Sequence, residues 1–396
     1  MKNVKGITMQ LRTITVGARE EDLLSAAQAA RVARERLESA GYVVQSLRLA
    51  LTQAANTCGD FASVARGVEE RALDAGFDFV SLGPVDAARL PALHEALAAT
   101  QTVFASAQIV TPEGVVLPEM LLAAAGAMVE LGRISPDGFG NLRFAALACV
   151  GPGSPFLPAA YHDRGEPWLA VGVEGATLVN QAIADCGLQI ADWLNQPALH
   201  QLQSAITASV ERHNAQITAA LRQLHAETGV RFTGCDWSLA PRPGGETSIG
   251  AAIEAMSGVP FGAWGTLAAV RSLTEAVQRA DVTRLGFSGV MLPVLEDTTL
   301  AQRNSEGRFT LRDLLAFSAV CGTGLDTIPL PGDTSAAQIA RVLQEVAALA
   351  STYRKPLTAR LMPMAGLNAG DTTRFDLSAN PDMARYFCAT RVMAIA

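Results

Sequence analysis

The sequence predicts an α/β protein whose strands roll into a closed or nearly closed barrel, and three observations carry that reading. Short β-branched runs alternate with Ala/Leu-rich segments of helical spacing, the mark of repeated strand–helix units. The alternation runs through both halves of the 396 residues with no Pro/Ser-rich linker between them, so one domain spanning 1–396 fits better than two beads. Finally, 49% of the residues are hydrophobic and only 17% are charged, against about 25% in an average globular chain, which implies a large buried interior or a subunit interface.

In chain order, the strand-like runs are 11–16, 42–51, 77–82, 103–110 and 142–150. Each is β-branched or apolar and bounded by turn residues. Between 175 and 229 the pattern changes to two or three long helices, a helical insertion holding Trp193, His200, His213 and His225. Those histidines lie in polar helical contexts and form no i, i+4 pair, so they read as a solvated face rather than metal ligands. Strand-like runs resume at 230–235, 284–294, 325–330 and 357–362.

Charge and composition exclude several classes of function. The formal charge of −7 and the pI of about 5.4 lack a basic nucleic-acid footprint. Mean hydropathy is +0.22, yet the apolar stretches stop well short of the roughly 18 residues that a spanning helix needs. No apolar targeting stretch follows Met1, so a cytoplasmic protein is expected. The six cysteines, Cys58 among them, are scattered without a CxxC pair, which fits buried apolar residues better than disulfides or zinc.

The residues hardest to explain as surface lie in the second half. A strand ends in Cys235-Asp236-Trp237-Ser238 before Pro241, at the edge where α/β folds bind ligands, although Asp236 could equally hold an Asx turn. Gly244 and Gly245 precede Thr247-Ser248 and a helical segment, and could present amides to an anion or simply cap the helix. The run 286–295 delivers two adjacent carboxylates, Glu296 and Asp297, with Arg303 two helical turns later. Asp297 reads as a helix cap and Glu296 as functional. Cys321-Gly322-Thr323-Gly324-Leu325-Asp326 and Asp333 form the most unusual stretch, in which Cys321 is a nucleophile only if a base or cation activates it. His162, among prolines and aromatics after a strand, is the acid/base candidate of its type, and Arg360 sits in the last strand-like run.

Together these stretches resemble the uncharacterised bacterial and archaeal DUF711 proteins, also called UPF0210. The matching segments are Arg12-Thr13-Ile14-Thr15-Val16-Gly17, Ser154-Pro155-Phe156-Leu157-Pro158-Ala159-Ala160-Tyr161, Asp236 to Pro241, Ser248-Ile249-Gly250, and the 286–297 and 321–333 stretches. The resemblance implies a ten-stranded α/β barrel surrounded by helices, similar to that of glycyl-radical enzymes such as pyruvate formate-lyase. It does not imply their chemistry: their C-terminal radical segment has its nearest counterpart here in Arg391-Val392-Met393-Ala394, with alanine in the glycine place.

The expected function is a small-molecule enzyme whose pocket gathers Asp236, Glu296, Asp326 and Asp333. Glu296, Asp326 and Asp333 would ligate Mg²⁺ or Ca²⁺, with Cys321 and His162 as further catalytic candidates and Ser238, Ser248, Thr323 and Arg303 as ligand contacts. The rival is a non-catalytic protein that captures an anionic metabolite on the amides of Gly244, Gly245, Gly322 and Gly324. The Ala-rich helices and low charge also point to a homo-oligomer.

Overall fold

The computed structural model describes residues 9–52, 60–135, 137–187, 196–375 and 387–395; Cys58 and Trp193 lie outside them. The first half runs β1 (Gln10–Ala18), α1 (Leu23–Ser39), β2 (Val43–Val44), β3 (Leu47–Leu51), α2 (Phe61–Asp74), β4 (Phe79–Pro84), α3 (Leu93–Ala98), β5 (Val103–Val110), α4 (Pro118–Leu131), α5 (Phe139–Leu142) and β6 (Phe144–Ala148). After a connection at 149–167 come β7 (Trp168–Val173), α6 (Ala176–Cys186), α7 (Gln196–Leu221), α8 (Leu224–Thr228), β8 (Arg231–Asp236), α9 (Ile249–Ser257), α10 (Thr266–Gln278), α11 (Thr298–Ser305) and α12 (Leu311–Ser318). The chain closes with β9 (Gly324–Pro331), α13 (Ala336–Tyr353) and β10 (Leu357–Met364).

All ten strands join one mixed sheet in the order β8-β7-β1-β3-β4-β5-β6-β10-β9, with β2 beside β1. β1, β3, β4, β5 and β6 are mutually parallel; β7 and β8 form a second parallel set, and β9 and β10 a third. The sets meet antiparallel at β1–β7 and β6–β10, so the starts of the first-half strands share a rim with the ends of the second-half strands.

Strands buried on both faces need side chains that are apolar throughout, and β6 (Phe-Ala-Ala-Leu-Ala) and β7 (Trp-Leu-Ala-Val-Gly-Val) are buried at every position. One face packs under helices: Leu11, Ile14 and Val16 share a cluster with Ala26, Ala30 and Ala33 of α1. The other face packs on the 149–167 connection, where Phe156 and Ala159 meet Ala145 and Leu147, and Leu157 and Ala160 meet Ala50, Phe104 and Ala170. Thr15 fixes that connection by donating its hydroxyl to the Pro155 carbonyl at 2.6 Å.

Two strand readings change. β7 went unrecognised because its short apolar run follows a turn-rich stretch and lacks a polar alternation. The 284–294 run is not a strand but an irregular segment, bridged in parallel at three points: Cys235 with Arg284, Leu239 with Val290, and Pro293 with Asp326. Its ladder is broken because Gly286 (φ 57°) and Ser288 (φ 38°) take left-handed backbone, and the amides of Phe287 and Ser288 are captured by the Asp236 carboxylate. Among the described residues, no helix is long and apolar enough to cross a membrane.

Candidate functional site

A chamber of about 270 Å³ lies on the sheet face that packs on the 149–167 connection, near the starts of the first-half strands. It is reached by side chains from the starts of β1, β3, β4, β5 and β6, from the 156–159 loop, from the irregular 287–296 segment, and from β9 and β10. Phe79, Phe104, Phe156 and Phe287 give it apolar walls, and charge enters at two places.

The first is an ion triad built by a bulge. In the β9–β10 ladder Leu325 faces Ala359 and Ile328 faces Leu361, so Asp326 and Thr327 together oppose the single residue Arg360. Thr327 takes the positive φ (46°) of such an insertion, and bulges re-aim side chains. Here the bulge sets Asp326 against Arg360, whose Nε donates to Asp326 Oδ1 at 2.7 Å. Arg360 Nη2 also donates to Glu296 Oε1 at 2.9 Å, and Nη1 approaches the Leu142 carbonyl at 3.4 Å. Glu296 is held there because its segment rests on β9, with the Val294 amide donating to the Asp326 carbonyl at 3.1 Å.

Burial pushes the Glu296 carboxyl above its ordinary range; Arg360 pulls it down, and Asp326 pushes it further up. Burial works against the charge on Arg360, but the two carboxylates hold its pKa above the usual value. Beside the triad, the Thr323 hydroxyl lines the chamber, is buried, and has no hydrogen-bond partner.

The second charged place is the β1–β3 wall. Arg12 donates Nη2 to the Pro241 carbonyl at 2.6 Å and lies 3.9 Å from Glu174, a fully buried acid that also pairs with Arg242 at 2.8 Å and accepts from Gln45 at 2.8 Å. Arg48 donates to Ser46 Oγ at 3.0 Å and stands 5.7 Å from the centre of the Phe79 ring.

Of the four acids expected to converge, only Glu296 and Asp326 do. Asp236 is fully buried, but it lies outside the chamber and accepts from the amides of Ser238, Phe287 and Ser288 and from the Ser238 hydroxyl. Burial pushes its pKa up to about 6 against those donors. Ser238 therefore serves Asp236 rather than a ligand. Asp333 is exposed and does not line the chamber. The metal set Glu296, Asp326 and Asp333 is thus not assembled: a guanidinium sits between the first two, the third is elsewhere, and no group of three His, Cys, Asp or Glu among the described residues is placed to hold a metal.

The remaining expectations also change. Cys321 is fully buried outside the chamber, its sulfur accepting from the Gly324 amide at 3.3 Å. The Gly322 amide donates to the Val290 carbonyl, the Gly324 amide to the Cys321 sulfur and the Gly244 amide to Thr298 Oγ1, so these three amides are used by the fold, while Gly245 is exposed and does not line the chamber. A Cβ at Gly322 would stand 2.9 Å from Gly289 backbone, which shows what that glycine is for. Ser248 caps α9 and donates to Asp297, while Arg303 is held by Glu254 at 2.6 Å and by Glu306 at 2.8 Å. His162 is buried outside the chamber, with no hydrogen bond to either ring nitrogen, and burial lowers its pKa. His213 bonds the Tyr42 hydroxyl at 3.0 Å.

Sequence reasoning missed Arg12, Arg48, Glu174 and the role of Arg360. The available signal was a cation inside an apolar strand, as in Leu357-Thr358-Ala359-Arg360-Leu361-Met362, where a charge must find a partner or a cavity.

Fold and site together define an α/β protein whose mixed ten-stranded sheet carries an ion-lined chamber. Residues 4–378 match the family model described as "Uncharacterised ACR (DUF711)", and the chain belongs to that family. It is similar to the UPF0210 protein of Methanococcoides burtonii, with 29% identity over 357 residues that cover 85% of this chain and 77% of the relative. It is likewise similar to the UPF0210 proteins of Methanosarcina acetivorans (30% identity, 81% and 72% covered) and Syntrophotalea carbinolica (28%, 80% and 72%). In the stretch compared above with a radical segment, Val392 and Met393 are buried, while Ala394 is exposed and outside the chamber.

Proposed function

We propose that this protein is a small-molecule enzyme that moves a proton between Glu296 and a ligand held in the chamber. One observation carries the reading: two carboxylates from separate segments, Asp326 buried and Glu296 part-buried, share a single guanidinium in a cavity wall, next to an unpartnered threonine hydroxyl. Carboxylates so close resist ionising together, so one retains its proton where an isolated acid would lose it. Arg360 keeps Asp326 in place, Glu296 is the donor, and Thr323 supplies a hydrogen bond to the ligand. A purely structural triad would be packed solid, whereas this one borders a cavity beside an unpartnered hydroxyl.

The same proposal includes the shape of the sheet. The three bridges made by 284–294 span from β8 to β9, the two ends of the strand order, and their joining would close a ten-stranded barrel similar to that of glycyl-radical enzymes, without a radical glycine. Carboxyl-stretch infrared titration of the intact protein against Glu296→Gln tests the chemistry. A band missing from the variant should titrate above about 4.3, the ordinary glutamate value, and move when a metabolite binds. A band at the ordinary value, unmoved by any bound metabolite, overturns the reading.

A further inference from the structure

We propose that the outward face of α4 is the surface on which a second copy of this chain docks, the two helices lying antiparallel about a two-fold axis at Gly126, with Glu119 of each copy against Arg133 of the other.

The first ground is the composition of α4 set against its position. Residues 120–129 read Met-Leu-Leu-Ala-Ala-Ala-Gly-Ala-Met-Val, without one polar side chain. A surface helix is apolar along one stripe only, and a helix that is apolar all round is one that is covered all round. Within a single chain α4 is covered on one side. Met120, Leu121, Ala124, Ala125 and Met128 are buried, and α4 packs on β5, α3 and α13. On the other side Leu122 is 60% exposed, and Ala123, Gly126 and Val129 are half-buried. Val115 and Val116, just before the helix, are exposed as well. The apolar run is far too short for a membrane, which takes about 20 residues to cross.

Spacing and charge then select the occupant. Glu119, Leu122, Gly126, Val129 and Arg133 recur at alternating steps of three and four, the seam of a helix that pairs with another helix. About Gly126 this seam is symmetric in length and opposite in charge: the acid Glu119 and the base Arg133 stand equally far from it, both exposed. Turning a second copy end for end over that centre therefore sets acid against base at both ends, whereas a parallel copy would set like against like. Arg133 is held at this edge by Glu130 at 2.6 Å, and a guanidinium has donors to spare for a second carboxylate. Between the charged ends, Leu122 and Ala123 of one copy lie against Val129 and the stem of Glu130 of the other. The apolar middle supplies the association and the charges fix its direction.

Gly126 itself is the third ground. Glycine is unfavourable inside a helix relative to alanine, and nothing in this chain calls for it, because a Cβ at Gly126 would meet no atom within 4 Å. A helix crossing at that point does call for it, since the distance between two packed helices is set by the side chains at the contact.

The test is sedimentation equilibrium and light scattering on the full chain. At micromolar concentration the parent should have the mass of two chains. Glu119→Arg and Arg133→Glu should each weaken pairing tenfold or more, because each puts like charges together at both ends. An equal mixture of those two variants should pair as the parent does, since every contact is then again acid against base. Gly126→Leu should leave single chains, with a melting temperature no lower than that of the parent at a dilution where both are single. A parent that stays one chain overturns the proposal, and so does pairing that none of these variants weakens. Variants that separate alone and fail to recombine on mixing overturn it too, as does a lowered melting temperature in Gly126→Leu, which would mean that the chain covers this face itself.

Discussion

Glu296 and Asp297 are neighbours in the chain with the same functional group, yet the fold sends them to opposite tasks. Asp297 turns away from the chamber and becomes an anchor between two helix starts. Its carboxylate accepts from the amides of Ile249 and Gly250 at the head of α9 and of Thr299 and Leu300 at the head of α11, and from the Ser248 hydroxyl. Four of its five donors are backbone amides at helix starts, where helix dipoles favour a negative charge. Glu296 faces a cavity and is bonded to one side-chain guanidinium instead of four backbone amides. The difference teaches that a buried acid is read by what donates to it: backbone donors mark an acid that builds the fold, and a shared side-chain cation beside open space marks one available for chemistry.

The sharpest way to break this comparison is Asp297→Asn, which turns amide hydrogens toward orphaned donors at two helix starts. A loss of about 3–5 kcal/mol in denaturant unfolding is expected, and a loss under about 1 kcal/mol would erase the contrast. Asp236→Asn should come next, at about 2–4 kcal/mol, since three amides and a hydroxyl lose the same kind of acceptor. Glu296→Gln should change stability by only about 1 kcal/mol near neutral pH. Its pH dependence is more telling. Because burial raises the Glu296 pKa, the folded state keeps a proton that the unfolded state releases, so this group stabilises the fold most at acid pH and less as pH rises through its titration. The melting temperature of the parent relative to Glu296→Gln should therefore fall from about pH 4 toward neutrality; a rising difference contradicts the sign. The smallest effect is in thiol labelling: Cys186 and Cys388, both part-exposed, should react before buried Cys321 and Cys235, and mass spectrometry showing Cys321 first would return it to the reactive group.

Much of the α/β alternation was legible because its strands are apolar runs and its helices carry Ala/Leu spacing. The two misreadings came from tertiary effects: Asp236 draws the 287–288 amides out of any ladder, and β7 is apolar on both faces. At the site, Glu296 and Asp326 were legible as acids at element ends in a chain sparing with charge, and Asp297 as a cap. Their separation from Asp236 and Asp333 was not, because which way a carboxylate turns depends on donors far away in sequence. The Asp326–Arg360 pairing rests on a register slip of one residue, which no spacing pattern announces.

Arg12 lies near one end of the chain and Arg360 near the other, and both border the same chamber. No fragment can therefore assemble it. A nascent chain on the ribosome cannot complete the chamber until β10 has been released, and a protein nicked or truncated before Arg360 would keep many of its local helices while losing that wall of it.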